Sequence, residues 1–166
     1  MTEQKSKQEE ATSFSLETLR QAFEDRATWF YLLLKEAEGR GYDAEAIAQS
    51  AIYKYGVDKG KKMTSTDDLN EFLVQFANPV TREVFAMSVA EMSDDHLVIE
   101  FHHCPLVKAW QDRHGATTEE TDKFCLWAVQ GDYGLMSAFP NIEFTPEKRI
   151  GAGDSYCKMV FRKKDK

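Results

Sequence analysis

Cys104 stands where an alternating apolar run gives way to Pro105, which places a thiol at the hand-over from a strand to the first turn of a helix. Free N–H groups and the positive end of a helix dipole favour a thiolate at such a place, and a helix N-terminus lowers a cysteine pKa substantially. His102 and His103 come immediately before it, and either imidazole could serve a sulfur nucleophile as base or orienting group. In an ideal strand Glu100, His102 and Cys104 share one face, while His103 joins Leu97, Ile99 and Phe101 on the other. That alternation favours His102 as the companion of the cysteine. The plainer reading is a buried free cysteine beside surface imidazoles, since cysteine is among the most often buried side chains.

Two further cysteines, Cys125 and Cys157, follow at intervals of 21 and 32 residues. Cys125 lies between Phe124 and Leu126 in an apolar helical pattern, and Cys157 shares a strand face with Met159 and Phe161, so core packing accounts for each. No Cys-x-x-Cys pair exists, which leaves a zinc ribbon without local support. A Cys₃His site with zinc or iron, assembled from distant segments, is the metal alternative. An odd number of cysteines also speaks against a disulfide framework and for reduced thiols. Asp154, next to Gly153, and Asp132, flanked by Gly131 and Gly134, are two carboxylates that could sit at a pocket, although turn and helix-end chemistry explain both. Gly151-x-Gly153 lacks the third glycine and the helix of a dinucleotide fingerprint. Trp29, Trp110 and Trp127 fall in helical patterns and read as packing; Lys59-Gly60-Lys61-Lys62 is a small basic patch.

The elements around these residues follow from periodicity. Leu16, Leu19, Phe23, Ala27, Phe30 and Leu34 recur at helical spacing, with Ser13 or Ser15 as cap and Gly39 and Gly41 as stop. Asp43 caps a second helix carrying Ile47, Ala48, Ala51, Ile52 and Tyr55, which stops at Gly56 or Gly60. A third begins at Thr66, bears Leu69, Phe72, Leu73 and Phe76, and ends before Pro79. The period then changes. Phe85, Met87 and Val89, then Leu97, Ile99 and Phe101, alternate around a polar turn and predict a hairpin. A helix from Pro105 to about His114 follows, and Thr117-x-x-Glu120 opens another with a capping-box signature, ended or bent by Gly131 and Gly134. Ile142 and Phe144 open a strand that Pro146 marks as an edge or a bulge, and Cys157, Met159 and Phe161 close a second hairpin. The expected class is α+β: N-terminal helices, a β-hairpin, two helices and a β-hairpin, giving a four-stranded antiparallel sheet packed on helices.

Composition bounds what this fold can do. With 166 residues and 42% hydrophobic content the chain suits one domain, expected over 13–162 between a disordered leader (1–12) and a basic tail (163–166). Lys plus Arg is 21 against 28 Asp plus Glu, a balance that points away from nucleic acid and anionic membrane. The stretch Trp29 to Leu34 is far short of a membrane span, and Met1 to Ala11 has no signal-peptide core. A cytoplasmic protein acting on a small molecule is the expectation.

Four segments in order, His103-Cys104-Pro105, Phe124-Cys125, Phe139-Pro140-Asn141-Ile142-Glu143-Phe144 and Gly153-Asp154-Ser155-Tyr156-Cys157, make Leu97 to Arg162 resemble the 2-aminothiazoline-4-carboxylate hydrolase family. The resemblance implies a hydrolase that opens a thiazoline or cyclic amidine carboxylate ring to a carbamoyl cysteine. It also implies an architecture shared with ligand-binding sensory domains and with vesicle-tethering subunits that dimerise through helices. Carried over by position, the matching residues are Cys104, Cys125, Gly153, Asp154 and Cys157. The resulting expectation is a nucleophilic Cys104, an imidazole of His102 or His103 as proton shuttle and Asp154 as orienting group, with Cys125, Cys157, Gly153 and Asp132 around the substrate. It requires no cofactor. The rival expectation is a non-catalytic small-molecule or metal-binding module of the same architecture, and the aromatic-rich first helix could supply a homodimer face.

Overall fold

The computed structural model describes residues 14–164; the expected leader, the alternative cap Ser13 and the last two residues of the expected tail lie outside them. Helix α1 (Leu16–Gly39) starts at Ser15, whose hydroxyl accepts the Thr18 N–H, and turns Ala27, Tyr31 and Leu34 inward. Helix α2 (Ala44–Gly60) is capped by Asp43 and continues through Gly56 to Gly60. Helix α3 (Leu69–Phe76) begins three residues later than the sequence suggests, because Asp68 accepts the N–H groups of Asn70 and Glu71 and so takes the cap itself. Pro79 does more than stop α3. It is the first residue of a further helix, α4 (Pro79–Val84), capped by Asn78, where a proline loses no hydrogen bond. Four helices therefore precede the first hairpin, not three, and Phe85 closes α4 instead of opening a strand.

Strands β1 (Met87–Met92) and β2 (His96–Phe101) pair antiparallel with a bulge at Ala90. Helix α5 (Pro105–Lys108) runs into a wider π turn over Ala109–Arg113. The expected fifth helix is two: α6 (Thr118–Ala128), capped by Thr117 through the Glu120 N–H, and α7 (Gln130–Met136), with the break at Val129 and not at a glycine. Strand β3 (Ile142–Lys148) is an edge strand and bulges just after Pro146, and β4 (Cys157–Lys163) pairs with both β3 and β2. The sheet order is β1-β2-β4-β3, four antiparallel strands packed on helices, so the class is α+β. β4 also takes Arg162 and Lys163 into the ladder, and Lys164 N–H reaches the Asn141 carbonyl.

Two apolar clusters hold these layers. One lies under the sheet, where Leu69 and Phe72 meet Leu97, Ile99, Phe139 and Phe161. The other joins α1 to α5 and α6 through Ala27, Trp110 and Phe124, with the Trp110 indole N–H donating to the Ala27 carbonyl at 3.0 Å. Between the clusters α2 and α7 touch backbone to backbone. A Cβ on Gly56 would collide with the Gly131 carbonyl, and one on Gly134 with the Tyr53 carbonyl. Glycine at 56 is thus an interface residue inside a continuous helix. Trp110 and Trp127 are core residues as expected, whereas Trp29 is 73% exposed on the outer face of α1.

Candidate functional site

The two clusters do not merge, and the space between them is a cavity of about 690 Å³, within the size range of small-molecule sites. Cys104, Cys125 and Cys157 all line it. Their convergence has an identifiable scaffold. On α6 the Thr121 hydroxyl donates to the Gly151 carbonyl at 2.7 Å, and Asp122 holds the Arg149 guanidinium at 2.7 Å. These contacts pin the β3–β4 connection onto the helix that carries Cys125. The Ile150 N–H donates to Cys157 Sγ at 3.3 Å, and a side chain at Gly151 would strike Cys125 Sγ. Cys157 is paired in register with Phe101, three residues before Cys104. Thus sheet register, a helix cap and one turn bring together three sulfurs that are far apart in the chain.

Their electrostatic state overturns the thiolate expected at Cys104. The N–H groups of Leu106 and Val107 do face this sulfur and favour its ionised form, as the strand-to-helix junction suggests. Burial outweighs them and pushes the thiol up to about 12. Cys104 keeps some accessible surface and lines the cavity. At neutral pH the group is therefore held as the protonated thiol. Burial also raises Cys125 and Cys157, and each of these feels a neighbouring negative charge as well.

Neither histidine reaches the cavity wall. The chain bends at His102, so the strict alternation used to pair it with Cys104 stops at the end of β2. His102 stays on the outer face, Nε2 lying 3.0 Å from Ser88 Oγ and 3.3 Å from a Glu100 carboxylate oxygen. His103 is half-buried on the side of Arg20, Glu24 and Lys108, its pKa lowered chiefly by burial, and its Nε2 has no partner among the described residues. Asp154 is exposed and accepts the Arg149 N–H at 2.9 Å, which closes its own turn. Gly153 supplies that turn with a φ of 95°, a left-handed conformation that favours glycine. Neither borders the cavity.

Asp132 does line the cavity, in the first turn of α7. Burial raises its carboxyl to about 6, and the charge of Lys59 opposes that rise. A carboxyl raised in this way favours the native state while protonated, and its contribution is lost as pH rises through about 6. Above that pH the fold carries this half-buried carboxylate ionised, at a cost. Sequence reasoning missed the remaining wall. Phe23, Phe30, Phe76, Phe85, Phe101 and Trp110 make it aromatic, and the exposed cations Arg26, Lys59 and Lys148 stand on it as well. Lys59 belongs to the basic patch visible in the sequence; nothing local marks the others as neighbours. Among the described residues no group of three His, Cys, Asp or Glu is arranged to hold a metal ion, which leaves the Cys₃His alternative without a geometric basis. No described helix is long and apolar enough to cross a membrane.

The chain matches the family model described as L-2-amino-thiazoline-4-carboxylic acid hydrolase over residues 20–161. No curated protein sequence matches it. Among solved structures it is similar to a trafficking protein particle complex subunit 3 from Naegleria fowleri, covalently bound to palmitic acid. The TM-score is 0.57 at 14% identity, over 87% of this chain and 96% of that one. It is also similar to the phenol-responsive sensory domain of the transcription activator PoxR with phenol, with a TM-score of 0.54 at 13% identity over 92% of each chain. At these identities the likeness is one of fold.

Proposed function

Because this chain belongs to the L-2-amino-thiazoline-4-carboxylic acid hydrolase family, we propose that it opens the ring of a small thiazoline or related cyclic amidine carboxylate inside the cavity, as a cytoplasmic enzyme. The observation that carries this reading is the convergence of Cys104, Cys125 and Cys157 on one aromatic-walled hollow. A flat five-membered heterocycle fits easily in that volume.

The protonated thiol and the absence of an imidazole from the wall shape the chemistry. Cys104 first gives its proton to the ring nitrogen of the bound amidine, and the sulfur of the resulting thiolate–amidinium pair then attacks the carbon between the two nitrogens. The substrate itself is the base. The adduct expels the ring sulfur as a thiol and leaves an isothiourea on Cys104; water adds to that carbon and releases the Cys104 thiol and an N-carbamoyl cysteine. The net reaction consumes one water and frees one new thiol. Incubating the protein with L-2-aminothiazoline-4-carboxylate and following thiol release with a chromogenic disulfide tests it. Steady release well above the uncatalysed rate is expected, and a rate equal to buffer removes the hydrolase reading.

A second reading, a ligand-binding module without turnover, draws on the same cavity. Its support is the missing imidazole, together with the neighbours, one solved with phenol and one covalently bound to palmitic acid. Binding of the thiazoline without thiol release would favour it.

We also propose that the outer stripe of α1 forms a homodimer face. Trp29 and Leu33, 73% and 67% exposed, lie one helical turn apart with Leu32 beside them. Sedimentation of the wild type as a dimer and of Trp29→Glu as a monomer is the expected result; a monomeric wild type at high concentration rejects it.

A further inference from the structure

Among the described residues, Asp132 is the sole carboxylate on the cavity wall. Its position is imposed by the fold: it is half-buried and follows Gly131, which packs directly on the α2 backbone at Gly56, so that seam fixes which way this turn of α7 faces. Its carboxylate oxygens make no hydrogen bond and no ion pair among the described residues, although the charge of Lys59 is felt there. An unpaired, half-buried carboxylate facing a largely apolar hollow is less well solvated than one in water, and a cation on a ligand relieves that. The rim is the reverse. Arg26, Lys59 and Lys148 line the same space with no carboxylate within 4.0 Å among the described residues. The hollow thus carries unpaired charge of both signs, positive where it meets solvent and negative inside.

We infer that Asp132 is the cation-recognition residue of the cavity and receives the planar amidinium end of the ligand between its two oxygens. A carboxylate offers two parallel acceptors to an N–C–N cation, and the pair is bidentate. The aromatic side chains around it accept the flat faces of such a group. A spherical ammonium would use neither feature as well. The inference rests on the ring-opening reading for the identity of the natural ligand, since the ring nitrogen that takes the Cys104 proton becomes this amidinium. As a statement about binding it stands apart from turnover.

Benzamidine and benzamide are nearly the same shape and differ in the charge of one end, which makes them the probes. Calorimetric titration of the full chain at pH 8 is expected to show benzamidine binding at least ~10-fold more tightly than benzamide. In Asp132→Asn the two should bind alike, with benzamide affinity retained. The variant is expected to melt no lower than the wild type, because it removes an unpaired, half-buried charge. Equal affinities in the wild type overturn the inference without any variant. So does a cation preference that survives in Asp132→Asn. Failure of ring opening, by contrast, leaves the amidinium preference in place, so the two failures are distinguishable.

Discussion

Replacing Cys104 by serine should lower kcat/KM for thiazoline ring opening by on the order of 10³-fold or more, with KM nearly unchanged. Serine keeps the size and neutrality that the site imposes, so fold and cavity persist, but its oxygen is a poorer nucleophile and a poorer leaving group than sulfur. Cys125→Ser and Cys157→Ser test the assignment from the other side. Both sulfurs border the same hollow, yet Cys157 already accepts the Ile150 N–H and Cys125 lies against the Gly151 backbone. Their replacement should cost far less than that of Cys104. Activity of the Cys104 variant equal to wild type would move the chemistry elsewhere. The same thiol should alkylate slowly at pH 7 and gain about tenfold in rate per pH unit well into alkaline solution, since only the thiolate reacts and burial pushes Cys104 up to about 12. For a raised pKa, the stability that the neutral thiol contributes is complete below about 9 and lost as pH climbs through about 12. Alkaline unfolding and alkaline reactivity should therefore approach one another.

Gly56→Ala should lower the melting temperature by roughly 6–12 °C, which corresponds to about 3 kcal/mol for a chain of this size. At an exposed helical position the same change stabilises by up to about 1 kcal/mol, because glycine is the poorer helix former. Here the sign reverses. The added methyl has the Gly131 carbonyl in its place, and the partner is backbone, which cannot swing aside as a long side chain would. Gly39→Ala is the matched control, since nothing lies within 4 Å of its Cβ position and it ends α1; it should melt at or slightly above the wild type. A Gly56→Ala protein as stable as the control would show that α2 and α7 do not approach as closely as described. The same variant should weaken ligand binding, because Ile52 and Tyr55 of α2 face Gly131 and Asp132 of α7 across the cavity wall. Stability and site geometry are coupled here through one missing methyl group.

The elements were legible in the chain because their signals are local. Ser15, Asp43 and Thr117 cap helices where the sequence places them, and the two-residue period of Leu97, Ile99 and Phe101 gave β2 and its hairpin. Family membership was legible as well, since four short motifs keep their order and spacing. Gly60, one of the two stops expected for α2, does end it, and α3 does end before Pro79. What the chain did not reveal is the packing role of Gly56 and the helix that begins at Pro79, because a helix breaker is judged by its own backbone preference, whereas its use here depends on what packs against it or begins after it.

The site followed a different rule. The chain by itself determined which chemistry was present, namely three thiols, two adjacent imidazoles and a few carboxylates, because that depends on residue type. Only the tertiary structure decided which of them meet and in what state. It brought Cys104, Cys125, Cys157 and Asp132 to one wall, and left His102, His103 and Asp154 off it. It also reversed the expected ionisation of Cys104. The physical reason is that a helix N-terminus acts over a few neighbouring residues and can be read in sequence, while loss of water is a property of everything packed around an atom, contributed here by segments as distant in the chain as α1 and β4.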